Sequence, residues 1–198
     1  MARKTKHVFC LEDDWWGTMK KPSSIFPMLQ LLSHWEPYRV RYIHRNAATR
    51  ETLEYYLKKW RQKQYSDYPI LYLSFHGTSG CLHLGDNRTS KSTITLDWLE
   101  DLLQGCCSKR IIYFGACATL ALNGNRLRSF LRRTNALAVC GYTKDVDWLQ
   151  STAFDLLAFA AMQENALTRA GARCMARRIV DDGGKLRKRL GFRMVVAN

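Results

Sequence analysis

Two short apolar runs limit what this chain can fold into. Residues 70–75, ILYLSF, deliver His76 and Gly77, and residues 111–114, IIYF, deliver Gly115, Ala116 and Cys117. Runs of this length, rich in Ile, Leu, Tyr and Phe and without polar alternation, have the pattern of strands buried on both faces of a parallel sheet. Each brings a reactive side chain out just past its carboxyl end, the edge at which open α/β sheets bind ligands. Neighbouring strands of this kind would set an imidazole beside a thiol, the layout of a cysteine hydrolase.

The rest of the chain supplies elements for such a sheet. Residues 7–11 read as a first strand, followed by an acidic and aromatic loop, Glu12, Asp13, Asp14, Trp15 and Trp16. Ile25, Leu29, Leu32 and Trp35 recur at helical spacing and predict a helix over 23–35, ended by Pro37. Residues 38–43 alternate as a half-buried strand, and 49–62 predict a helix with Leu53, Tyr56, Leu57 and Trp60 on one face. With the strand at 70–75 this is β-α-β-α-β, the pattern of a parallel sheet covered by helices. Residues 80–85 and 92–95, around a polar turn at 86–90, predict a small hairpin after His76. Leu96, Leu99, Leu102 and Leu103 then mark a short helix leading to the Cys117 strand. Beyond it lie a helix around Leu127, Phe130 and Leu131, a fifth strand at 136–140, and a strongly amphipathic helix carrying Ala153, Phe154, Leu157 and Ala161. A basic helix over 167–180 is broken at Gly183 and Gly184, and 192–196 form a last strand. The expected fold is α/β, a three-layer sandwich whose mostly parallel sheet of about six strands carries helices on both faces and a small hairpin after the His strand.

Composition narrows the class. A chain of 198 residues, 46% hydrophobic, with four prolines and no low-complexity tract, suits a single domain over 1–198. No apolar run approaches the roughly 18 residues of a membrane span, and the first residues lead into a strand rather than a signal-peptide core. Seven cysteines, an odd number without regular spacing, read as reduced thiols. These features predict a soluble, cytoplasmic protein. The formal net charge of +14 favours anionic partners, with Arg126, Arg128, Arg132 and Arg133 in one segment and a second basic crowd from Arg169 to Arg193. Solvated helix faces are the plainer account of this charge; nucleic acid is a partner it allows, although no nucleic-acid motif supports one. Cys81, His83, Cys106 and Cys107 lack the usual metal-ligand spacing, so neither a metal nor a cofactor is expected.

The joint pattern resembles the caspase-like, or clan CD, cysteine peptidases, particularly the bacterial CHAT-type members. It comprises His-Gly closing a strand, Leu82 and Leu84 in a hairpin, a short Leu-rich helix, and a strand ending in Gly-Ala-Cys, with 41 positions (117 − 76) between His and Cys. The likeness is strongest over 70–119, and its element order extends over most of the chain. Ala118 and Thr119 depart from it, since many relatives carry a basic, Ser or Gly residue after the cysteine. The resemblance implies a caspase-like sandwich and a cysteine endopeptidase acting on protein or peptide substrates. In it His76 and Cys117 form a dyad without a third acidic member, and the backbone N–H groups of Gly77 and Cys117 form the oxyanion hole. A neutral thiol is a poor nucleophile, which is why Cys117 needs the imidazole; Cys10 and Cys140, inside strands, are explained by packing.

In that family the primary substrate pocket is lined from the loop after the first strand, the approach to the nucleophile and the loop after the fifth strand. Here those loops hold Asp13, Asp14, Asp145, Asp147 and Trp148, with Glu12, Trp15 and Trp16 beside them. Carboxylates on a basic protein favour a cationic side chain and hence cleavage after Arg or Lys, while the same acids equally suit helix caps or solvent. Residues 132–135 are too short for a cleavable maturation linker, which predicts an uncleaved single chain gated by an activating protein partner or by substrate access. The competing class is a catalytically silent caspase-like or flavodoxin-like binding module with a basic docking surface, and acyl transfer would use the same dyad.

Overall fold

A computed structural model gives the three-dimensional structure and describes residues 4–15, 20, 24–85 and 89–198. Trp16, Ser23 and part of the 86–90 turn lie outside the described residues. The chain runs β1 (Val8–Glu12), α1 (Phe26–His34), β2 (Tyr42–Asn46), α2 (Arg50–Trp60), β3 (Ile70–Ser74), β4 (His76–Thr78), β5 (Cys81–His83), β6 (Thr93–Thr95) and α3 (Leu96–Leu103). It continues with β7 (Ile111–Phe114), α4 (Gly124–Thr134), β8 (Ala138–Tyr142), α5 (Trp148–Gln163), α6 (Arg169–Leu190) and β9 (Phe192–Val196).

Six strands form one sheet in the order β2-β1-β3-β7-β8-β9, parallel except for the β8–β9 pair. β1, β3, β7 and β8 are buried at every position, because their alternate side chains feed two separate cores. Leu71, Leu73, Ile112, Phe114 and Val139 face α2, α3 and α4, whereas Ile70, Tyr72, Ile111, Tyr113 and Cys140 face α1, α5 and α6. The result is the expected three-layer α/β sandwich. Thr49, Thr95, Asn123, Asp147 and Thr168 each accept a first-turn backbone N–H and so start α2 to α6 at residues with free side-chain oxygens. Among the described residues no helix is long and apolar enough to cross a membrane.

The local differences from expectation have physical causes. The strand expected at 38–43 begins at Tyr42, because Arg39 and Val40 donate backwards to the carbonyls of Trp35 and Leu32 and so finish the α1 turn. On α5, Ala153 and Leu157 face solvent; the packed side is Phe154, Asp155, Ala158, Phe159 and Met162. The break expected at Gly183 and Gly184 is a kink at Gly184, φ +44° and ψ −124°, after which α6 resumes to Leu190. The hairpin gains a third strand, since β4 pairs antiparallel with β5, so His76 opens a small sheet instead of merely ending the large one.

Candidate active site

β3 and β7 are adjacent and in register from Ile70 opposite Ile111 to Leu73 opposite Phe114, so their carboxyl ends are level. After β3 the buried Phe75 leads into His76; after β7 the Gly115 N–H donates to the Leu73 carbonyl at 2.9 Å and Ala116 is buried, leaving Cys117 half-buried at the surface. Two close approaches fix this geometry. A Cβ on Gly77 would lie 2.5 Å from the Cys117 carbonyl oxygen and would also strike Thr119 Oγ1, so only glycine lets the His76 segment lie against the Cys117 turn. A Cβ on Gly115 would lie 2.5 Å from the Tyr72 ring. Ala118, with φ +50°, takes a conformation that L residues rarely adopt, held by its N–H to the Lys144 carbonyl at 2.9 Å. That bond draws the loop after β8 across the thiol, where the Val146 N–H donates to Cys117 Sγ at 3.4 Å.

His76 Nε2 lies 2.8 Å from the Trp15 carbonyl oxygen. A carbonyl only accepts, so Nε2 carries a proton, and a neutral ring so bonded would keep its lone pair on Nδ1. The Trp15 ring stands edge-on to the imidazole, with centroids 5.3 Å apart. No hydrogen bond joins His76 to Cys117: the ring is bonded to Trp15 and the sulfur to Val146. The Cys117 N–H has no acceptor among the described residues, while Gly77 lies in the β4–β5 ladder opposite Leu82. Several of the other thiols are packing groups: burial pushes Cys10 and Cys140 well up and Cys107 up to about 12.

The acidic loops separate into two kinds. Asp13 is buried and accepts from the N–H groups of Asp14 (2.8 Å) and Gly85, tying the loop after β1 to the hairpin. Asp147 caps α5 by accepting from the Gln150 N–H at 2.9 Å, and Glu12 accepts from His44 Nε2 at 2.6 Å and the Ile25 N–H at 3.0 Å. Asp13 and Asp147 are thus already engaged as acceptors of backbone N–H groups. Asp14 and Asp145 are exposed, with side chains that bond nothing among the described residues. Trp15 Nε1 and Trp148 Nε1 are buried without an acceptor among the described residues.

Sequence reasoning passed over the Trp15 carbonyl and the Val146 amide, which are backbone groups that no side-chain pattern announces. It also passed over Asp155, a lone carboxylate in an apolar helix. Among curated proteins no match is found. The model of a family described as a family of unknown function (DUF6642) matches residues 5–195, from before β1 into β9, and the chain belongs to that family.

Proposed function

We propose that the chain is a caspase-like cysteine hydrolase that cleaves peptide bonds in protein substrates. The observation that carries this reading is the seating of the His76-Gly77 segment against the Cys117 turn, at the level carboxyl ends of adjacent parallel strands. In the proposed reaction His76 Nδ1 takes the Cys117 proton and Sγ attacks the substrate carbonyl carbon. The oxyanion faces the N–H groups of Cys117 and Gly77, each such donor contributing about 2.7–4 kcal/mol to the transition state. His76 returns the proton to the departing amine, and water then hydrolyses the thioester. The Trp15 carbonyl sets the tautomer this requires. Substrate entry must bring ring and sulfur, bonded separately in this structure, into one hydrogen-bonded chain.

Asp14 and Asp145, the unengaged carboxylates of the two loops, are the groups proposed to select Arg or Lys at the cleaved bond. Only residues 135–137 separate α4 from β8, in keeping with an uncleaved chain. The separate bonds of His76 and Cys117 favour a second reading, a non-catalytic module that uses the same edge to hold a partner.

Digestion of a mixed peptide library by wild type and Cys117→Ala, with the cut bonds located by mass spectrometry, separates the two. Cuts after Arg or Lys made by wild type alone are expected, with that preference lost in Asp14→Ala or Asp145→Ala. Identical libraries, together with no labelling of Cys117 by an electrophilic peptidyl probe, would establish the binding module instead.

A further inference from the structure

A cavity of about 620 Å³ lies at the edge of the sheet opposite Cys117. It is enclosed by the segments that enter β1, β3 and β7 and by the turn after α5. The strands between the two edges are four or five residues long, which at about 3.3 Å per residue puts roughly 15 Å of sheet between them. Its volume falls within the range of pockets that hold small organic ligands, roughly 300–1,000 Å³.

The lining joins apolar groups, Pro69, Ala166 and Leu167, to an excess of cations. Lys4 is neutralised by Asp67 at 2.5 Å. Lys109 is exposed and has no ion-pair partner among the described residues. Arg110 is 7% exposed, yet its guanidinium meets no carboxylate among the described residues: it donates to the carbonyls of Trp60 (2.5 Å) and Gln62 (3.4 Å) and lies 4.3 Å from the Trp60 ring centroid. Burial lowers the Arg110 pKa, the expected sign for a desolvated cation without a counter-ion. A buried charge satisfied only by neutral groups gains from an anion placed beside it.

We propose that this cavity binds an amphipathic anion, a small molecule with a phosphate on an apolar body, the phosphate held by Lys109 and Arg110 and the body against Pro69, Ala166 and Leu167. The site is independent of the chemistry proposed for the opposite edge.

Octyl phosphate, below its micelle-forming concentration, is the probe, followed by tryptophan fluorescence and by thermal unfolding. Saturable binding and a rise in Tm are expected, since a ligand that binds only the folded state raises its stability. Inorganic phosphate and octanol should each bind at least about tenfold more weakly, as each presents half of the recognised chemistry. Lys109→Asn keeps a residue tolerant of φ +58°, and Ala166→Phe fills the mouth from an exposed position, so both should fold with unchanged Tm without ligand. Each should weaken octyl phosphate by about tenfold. Absence of saturable binding to wild type, or wild-type affinity in either variant, would overturn the site; inorganic phosphate binding as tightly as octyl phosphate would overturn its amphipathic character.

Discussion

On the side of the sheet covered by α2, α3 and α4 the inner strands β1, β3 and β7, with Val139 of β8, offer only apolar groups, Phe9, Leu11, Leu71, Leu73, Ile112, Phe114 and Val139. On the side covered by α1, α5 and α6 the same strands offer Tyr72, Tyr113 and Tyr142, all converging on the buried Asp155 of α5. Tyr72 donates to Oδ2 at 2.5 Å and Tyr113 and Tyr142 donate to Oδ1, with the Tyr142 hydroxyl also 3.2 Å from the Ser151 carbonyl oxygen. Apolar burial is non-directional and tolerates small shifts between layers, whereas a carboxylate with three donors specifies where each strand sits. The strands so fixed are β3, β7 and β8, which deliver His76, Cys117 and the loop bearing Val146. The polar side thus positions the candidate site, and the apolar side supplies bulk stability.

The largest effect expected on either face comes from the apolar one. Phe114 packs edge-on to Phe130 with centroids 6.2 Å apart, and Phe114→Ala should cost about 3–5 kcal/mol through lost burial and the cavity left behind. Denaturant unfolding should show the same loss at pH 4.5 and pH 7.5, because the missing atoms carry no charge. The polar face should behave differently. Burial lifts the Asp155 carboxyl from 3.8 to about 6, against the opposing pull of its three hydroxyl donors, while burial, reinforced by Asp155, raises the tyrosines and keeps them protonated donors. The folded state therefore binds this proton more tightly than the unfolded chain. Its contribution is complete below about pH 3.8 and is lost as pH rises through about 6, amounting to about 3 kcal/mol. Subtracting the pH profile of Asp155→Asn from that of wild type should isolate this fall; parallel profiles would mean that Asp155 does not titrate in the folded state over this range.

The contrast between the faces also explains what could be read in advance. β3 and β7 were legible because strands buried on both sides leave continuous apolar runs, and their common direction carried the His76 and Cys117 placement with them. α5 was harder: it is apolar almost all round, with Leu149 and Leu157 exposed, so periodicity did not reveal its packed side. The Asp155 network was detectable in principle, as Tyr72 and Tyr113 are register partners and Tyr142 shares their face two positions beyond Cys140. β2 was misplaced because the helix end used the backbone of Arg39 and Val40. The role of Asp13 depends on where the hairpin places the Gly85 N–H, a long-range fact with no local signal.

A smaller perturbation probes the polar face alone. Tyr72 is the donor to Oδ2, whereas Tyr113 and Tyr142 share Oδ1, so Tyr72→Phe leaves one oxygen of a buried carboxylate without a partner. The ring stays packed on Gly115, which confines the change to one hydrogen bond. Bonds to charged acceptors contribute about 1.5–3 kcal/mol, and a loss of about 2 kcal/mol is expected at neutral pH. Because that bond favours the ionised form, its removal should also move the Asp155 transition above pH 6 and make the loss smaller in acid, where the carboxyl is protonated. Unfolding of wild type and Tyr72→Phe at pH 4.5 and pH 7.5 tests both signs at once. A loss that does not change with pH would show that the hydroxyl fills space without biasing the charge, and the two faces would then differ in composition but not in how they hold the strands beneath Cys117.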